Sequence, residues 1–99
     1  MTPRIALAAL CLTGAATLSH AADPHLARNL AATCANCHGT DGHSAGGMER
    51  LAGESRDTLL RKLREFQSGD RPATIMHQIS KGYTDEQLEL IADYFAAQR

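Results

Sequence analysis

The chain has 99 residues, with 10 basic and 11 acidic side chains that give a formal charge of −1, and 43% of its residues are hydrophobic. This length allows one domain. The balanced charge excludes a surface that binds nucleic acid through its phosphates, and the hydrophobic content excludes disorder by composition. With two Tyr, two Phe and no Trp, the core is small, and domains of this size usually need a disulfide, a metal or a bound cofactor.

Residues 1–21 are predicted to form a secretory signal peptide. A positive charge is followed by the apolar run Ile5 to Leu18, and small residues occupy the −3 and −1 positions of a cleavage point before Ala22. The run has about 14 residues, whereas a membrane-spanning helix needs about 20. We expect export to the periplasm, loss of Cys11 with the signal, no membrane span after cleavage, and a mature domain of residues 22–99.

The mature domain is predicted to be all-α, with three main helices and one short helix, because no stretch alternates apolar and polar residues as a strand would. Asp23-Pro24 is a typical start of the first helix, 24–36. Its inward face is predicted from i, i+4, i+8 spacing and consists of Leu26, Leu30 and Cys34.

A glycine-rich loop follows, with five glycines from Gly39 to Gly53 inclusive. The second helix is predicted over 55–68, capped by Ser55 and ended by Gly69. The residues predicted to face inward on it are Leu59, Leu63 and Phe66.

Two more helices are predicted near the C-terminus. A short helix over 73–80 ends at Gly82, and Thr84 with Gln87 forms a capping box for the last helix, 85–98. The predicted apolar face of the last helix is Leu88, Ile91, Ala92 and Phe95.

Cys34-Ala35-Asn36-Cys37-His38 is the attachment sequence of c-type haem. On one helical turn, residues i and i+3 share a face, so the sulfurs of Cys34 and Cys37 can both reach the vinyl groups of one porphyrin edge. His38 then follows as an iron ligand. The sequence therefore predicts one covalently bound haem c, which supplies the missing core.

Other uses of the two cysteines remain open. A zinc site would need a second ligand pair at finger spacing, which the sequence lacks. A thioredoxin-like dithiol would follow a strand, and a plain disulfide would leave His38 unexplained. For the loop of residues 39–53, we expect the glycines to let the main chain pass close to the porphyrin. We also expect one loop carbonyl to accept the Nδ1 proton of His38.

The second axial position has several candidates. Met76 lies far enough beyond the motif for an intervening helix to return the chain to the other face of the ring. Met48 comes ten residues after His38, where the chain is expected to remain on the His38 side, and His77 adjoins Met76. The residues favour Met76 and leave His77, Met48 or an open site as alternatives.

A resemblance to the class I cytochromes c rests on three segments: Cys34–His38 with Gly39-Thr40-Asp41-Gly42 after it, Thr74-Ile75-Met76, and Lys81-Gly82-Tyr83-Thr84. Within that family the chain is most similar to the cytochrome subunits of flavocytochrome c sulfide dehydrogenase. Such subunits can carry two haem domains, whereas this chain has one Cys-x-x-Cys-His motif.

This resemblance implies the class I cytochrome c fold, in which the first helix packs across the last. It also implies Cys34 and Cys37 as thioether anchors, His38 as proximal and Met76 as distal iron ligand, and a flavoprotein sulfide dehydrogenase subunit as redox partner.

The expected function is one-electron transfer in the periplasm by a protein that is not itself an enzyme. Two alternatives are a free carrier of a respiratory chain and a gas-binding haem protein with an open sixth site. The basic residues of the second helix suggest either a solvated helix face or a docking patch, and the former is favoured. They are Arg56, Arg61, Lys62 and Arg64.

Overall fold

The computed structural model describes residues 23–99, which contain five α-helices and no β-strand. The all-α prediction is confirmed. The predicted signal peptide, residues 1–21, lies outside the described residues. Within residues 23–99, no helix is long and apolar enough to cross a lipid bilayer. The helices are α1 (Leu26–Ala31), α2 (Ala35–His38), α3 (Arg56–Ser68), α4 (Met76–Lys81) and α5 (Asp85–Ala96).

The predicted first helix is divided into two. A 3₁₀ turn over Ala32–Cys34 separates α1 from α2, and such a turn advances about 120° per residue instead of about 100°. Of the predicted inward face, Leu30 and Cys34 pack against the core. Leu26 is 43% exposed, whereas Ala31 is buried. Asp23 does not cap α1, because its carboxylate accepts a hydrogen bond from the His25 N–H in a preceding turn.

The second predicted helix corresponds closely to α3. The Ser55 hydroxyl oxygen accepts a hydrogen bond from the Thr58 N–H at 3.2 Å, which satisfies one of the free donors of the first turn. At the other end, Gly69 has the left-handed φ of 86° that glycine adopts without strain. The capping serine and the terminal glycine therefore set the bounds of this helix.

The last two helices are shorter or shifted. The predicted short helix starts at Met76 instead of residue 73, because Ile75 (φ −127°) is the non-helical N-cap. The capping box of Thr84 and Gln87 is present. Helix α5 ends at Ala96 instead of residue 98, because the Phe95 carbonyl accepts from the Gln98 N–H, an i to i+3 bond, and also from the Gly53 N–H.

Helix α5 is the centre of the core. It packs against α1 and against α3, and α3 also packs against α4. The packing of the first helix on the last agrees with the family resemblance. The four residues predicted on the apolar face of α5 are all buried. Leu60 of α3 is also buried, although the sequence pattern did not predict it. The buried apolar residues are Ala31, Ala52, Leu59, Leu60, Leu88, Ile91, Ala92 and Phe95.

Candidate functional site

A cavity of about 690 Å³ opens between residues 33–38 and helices α3, α4 and α5. This volume lies in the range of about 300–1,000 Å³ that is typical of small-molecule sites. The cavity brings together the four predicted site residues from two distant segments, Cys34, Cys37, His38 and Met76. Its apolar walls include Leu51, Leu59, Leu63, Phe66, Ile79, Ile91 and Phe95.

Cys34 and Cys37 are free thiols on the cavity wall and are not bonded to each other. Cys34 ends the 3₁₀ turn and Cys37 lies in α2, where it is exposed. Burial raises the pKa of the Cys34 thiol, which keeps it as neutral S–H. In the part of the chain from residue 23 onward, no three His, Cys, Asp or Glu side chains come together as they would at a zinc site.

His38 is the last residue of α2 and is buried, with 9% of its surface exposed. Its Nδ1 lies 2.6 Å from the main-chain oxygen of Glu49. A carbonyl oxygen can only accept, so Nδ1 carries a proton, and in the neutral ring Nε2 then keeps the lone pair. The expected loop carbonyl is therefore that of Glu49, and the contact leaves Nε2 able to bind a metal ion.

The candidates for the distal position are placed differently from one another. Met76 is half-buried at the start of α4 and lines the cavity, and Met48 lines it too but is 47% exposed. Met48 directly precedes Glu49, so it lies in the segment whose main chain contacts His38. His77 does not line the cavity, and its Nε2 hydrogen-bonds to the Arg71 carbonyl.

No protein-family model matches the chain. The chain does match individual proteins. Over 66 residues it is 42% identical to the cytochrome subunit of sulfide dehydrogenase of Chlorobaculum tepidum, covering 67% of this chain and 60% of that protein. Over 70 residues it is 33% identical to cytochrome c-554(548) of Halomonas halodenitrificans, covering 67% of this chain and 84% of that protein.

The structure of cytochrome c4 from Acidithiobacillus ferrooxidans superimposes with a TM-score of 0.65 and 32% identity, covering 73% of this chain and 49% of that one. The chain is thus shorter than several of the proteins it matches. The chain belongs to the c-type cytochromes. These are electron-transfer proteins, and the class I fold of this cytochrome is the one that the sequence analysis expected.

Members of this family carry covalently bound haem c, and a single haem is consistent with one Cys-x-x-Cys-His motif. The cavity of this cytochrome fits such a group. Its walls are mainly apolar, its two thiols are not bonded to each other, and the Nδ1 of His38 is taken by a carbonyl, which leaves Nε2 for a metal ion.

The glycine loop of the cytochrome contacts the cavity through Met48, Glu49 and Leu51 and not through its glycines. No glycine between residues 39 and 53 lines it. Gly39 and Gly42 have φ of 84° and 80°, and a Cβ on Gly42 would lie 2.8 Å from the Ala52 nitrogen. The Gly42 carbonyl accepts from the Leu51 and Ala52 N–H groups. These two glycines therefore close the loop on itself, and the closed loop presents the Glu49 carbonyl to His38.

The basic residues of α3 do not form a free positive patch in this cytochrome. Each pairs with an acid: Arg56 with Asp93, Arg61 with Glu65, Lys62 with Glu49 and Arg64 with Glu89. Exposed pairs of this kind contribute little to stability. The three arginines lie on the exposed surface of the helix, which agrees with a solvated face. The fourth cation, Lys62, lines the cavity.

Proposed function

We propose that this cytochrome transfers single electrons through one haem c held by four residues. Cys34 and Cys37 would form the thioether bonds, with His38 and Met76 as the proximal and distal iron ligands. The observation that carries the proposal is that one cavity is lined by both cysteines and the histidine of the attachment motif and by Met76.

The bound haem supplies an iron that changes its charge by one electron. The chain's own residues determine how it is used. The Glu49 carbonyl holds the Nδ1 proton of His38, which fixes the ring tautomer. A methionine thioether raises the reduction potential relative to other axial ligands. With His38 and Met76 both bound, no position is left for a substrate, which favours electron transfer over gas binding.

For the location, we propose the periplasm, reached by cleavage of residues 1–21. For the partner, we propose a flavoprotein sulfide dehydrogenase subunit, because the 42%-identical relative is named as a cytochrome subunit of such an enzyme. Two exposed apolar residues at the cavity, Met48 and Ile75, would supply docking surface. Sulfide chemistry would lie on the partner, because in this proposal the haem takes both Cys34 and Cys37 and the two ligands fill the iron.

A free electron carrier is the second candidate. The chain covers 84% of the Halomonas relative, which is named as a cytochrome and not as a subunit.

Covalent attachment is tested by acid–acetone extraction of the protein purified after export. The haem should remain with the polypeptide, and extraction of the haem would contradict the thioether assignment. In the Cys34→Ala and Cys37→Ala variants, little folded protein should accumulate, because the apolar cavity closes only around the porphyrin.

The partner is tested by size-exclusion chromatography of native extract, with added sulfide and detection of haem and flavin. Co-elution of haem with flavin, together with haem reduction by sulfide, would support the subunit role. Elution at monomer size, with no flavin and no sulfide-dependent reduction, would favour the free carrier.

A further inference from the structure

The cavity wall that carries Met76 has few main-chain hydrogen bonds of its own. Residues 72–76 all line the cavity. Among residues 23–99, no main-chain oxygen accepts from the N–H groups of Ala73, Thr74 or Ile75, and Pro72 has no N–H. The segment is therefore fixed mainly by its two ends. Its C-terminal end continues into α4, and its N-terminal end is Arg71.

Arg71 is attached to α3 by three kinds of contact. Its Nε and one terminal nitrogen each lie 2.8 Å from the same carboxylate oxygen of Glu65. Its main-chain N–H donates to the Glu65 carbonyl at 3.3 Å. Its guanidinium lies 5.7 Å from the ring centre of Phe66, within the range of a cation–π contact. Both charged side chains are about one-third exposed.

Two neighbours strengthen this attachment. The Arg71 carbonyl accepts a hydrogen bond from His77, the residue after Met76, which ties the start of α4 to the same point. Arg61 and Arg71 together hold the pKa of the Glu65 carboxyl below its usual value, so Glu65 is ionised at neutral pH. Arg61 binds the other carboxylate oxygen of Glu65 at 2.9 Å and does not line the cavity.

We propose that Glu65 and Arg71 are positioning residues that hold the Met76 segment against the haem and so oppose dissociation of the distal ligand. This inference rests on the proposed role of Met76. Without the Arg71 side chain, the N-terminal end of residues 72–75 loses its ion pair and its cation–π contact with α3 and keeps the main-chain bond to Glu65. Met76 would then leave the iron more often while the helices stay folded.

The experiment compares Arg71→Met with Arg61→Met in the haem-containing protein. Both variants remove one arginine from the same carboxylate, but only the first removes a side chain that attaches the Met76 segment to α3. Carbon monoxide needs an open distal position, so its binding rate to reduced protein measures how often Met76 dissociates. We expect an increase of about tenfold in Arg71→Met, typical for loss of a charge-assisted contact, and little change in Arg61→Met. Arg71→Lys should restore part of the difference.

A second readout separates positioning from general stability. In guanidinium chloride, the far-red absorption of methionine-bound iron should disappear in Arg71→Met at a lower denaturant concentration than in wild type. The midpoint of the helical circular dichroism transition should stay at the wild-type concentration. Equal shifts of both signals, or equal carbon monoxide rates in the two arginine variants, would overturn the proposal.

Met76→Ala serves as the reference with no distal methionine. If its far-red absorption persists, the ligand assignment itself fails. If the absorption disappears in Met76→Ala and the two arginine variants behave alike, only the positioning role fails.

Discussion

The Nδ1 atom of His38 lies 2.6 Å from the main-chain oxygen of Glu49, and the carboxylate of the same Glu49 pairs with Lys62 of α3. One residue thus connects the proximal histidine to a helix on the cavity wall. Its main chain makes one contact and its side chain makes the other. A side-chain substitution at Glu49 therefore removes the ion pair and leaves the carbonyl in place.

We predict that Glu49→Gln and Lys62→Met each loosen the hydrogen bond of His38. Exchange of the Nδ1 proton with solvent, followed by NMR, should become about two- to fivefold faster, the factor that corresponds to the ~0.5–1 kcal/mol of a partly exposed pair. Glu86→Gln is the control, because Glu86 is exposed and forms no ion pair within residues 23–99. The exchange rate in the double variant should equal that in either single variant. Additive effects of the two substitutions would show that they do not act through the Glu49–Lys62 ion pair.

Met76 and Met48 are compared directly, since both line the cavity. We predict that Met76→Ala abolishes the far-red absorption of methionine-bound iron, lowers the reduction potential and admits carbon monoxide. Met48→Leu should change none of these, because Met48 adjoins the residue that contacts the proximal histidine. The absorption spectrum and a redox titration measure both effects. The opposite result for the two variants would make Met48 the distal ligand.

Gly42 is predicted to be a stability-determining glycine. In Gly42→Ala, the new Cβ would lie 2.8 Å from both the Ala52 nitrogen and the Phe95 side chain, at a φ of 80° that alanine adopts with strain. We expect the free energy of unfolding to fall by about 2–3 kcal/mol in guanidinium titrations. Gly46→Ala is the matched control, because nothing lies within 4 Å of its added Cβ, and it should stay within about 0.5 kcal/mol. Equal losses would show that loop closure does not depend on Gly42.

Tyr94 gives a stability contribution that depends on pH. Its hydroxyl donates to the Asp41 carboxylate, which raises the pKa of Tyr94 above its usual value of about 10. The neutral phenol is thus favoured in the folded state, so its contribution is complete below pH 10 and is lost as the pH rises through the folded pKa. Tyr94→Phe should lower the free energy of unfolding by about 1 kcal/mol at pH 7. The difference from wild type should shrink in urea titrations at pH 11, and a constant difference would contradict the assignment.

Features that depend on neighbouring residues were predictable from the sequence. The Ser55 cap, the Thr84–Gln87 box and the left-handed Gly69 are local chemistry, and each set a helix end where expected. The buried face of α5 followed from its period. The attachment motif is also local, since the spacing of Cys34, Cys37 and His38 is defined within one turn of chain.

The tertiary structure decided the features that depend on distant contacts. The 3₁₀ turn at Ala32–Cys34 divided the predicted first helix, and the packing of α1 on α5 buried Ala31 and left Leu26 exposed. The choice of Glu49 as partner of His38 depends on how the loop closes through Gly42, and the anchoring of the Met76 segment depends on Glu65 of another helix. Periodicity and spacing report only what a segment contributes by itself. Which carbonyl or carboxylate meets a given side chain is set by the packing of segments that are far apart in the chain, and no local pattern encodes that distance.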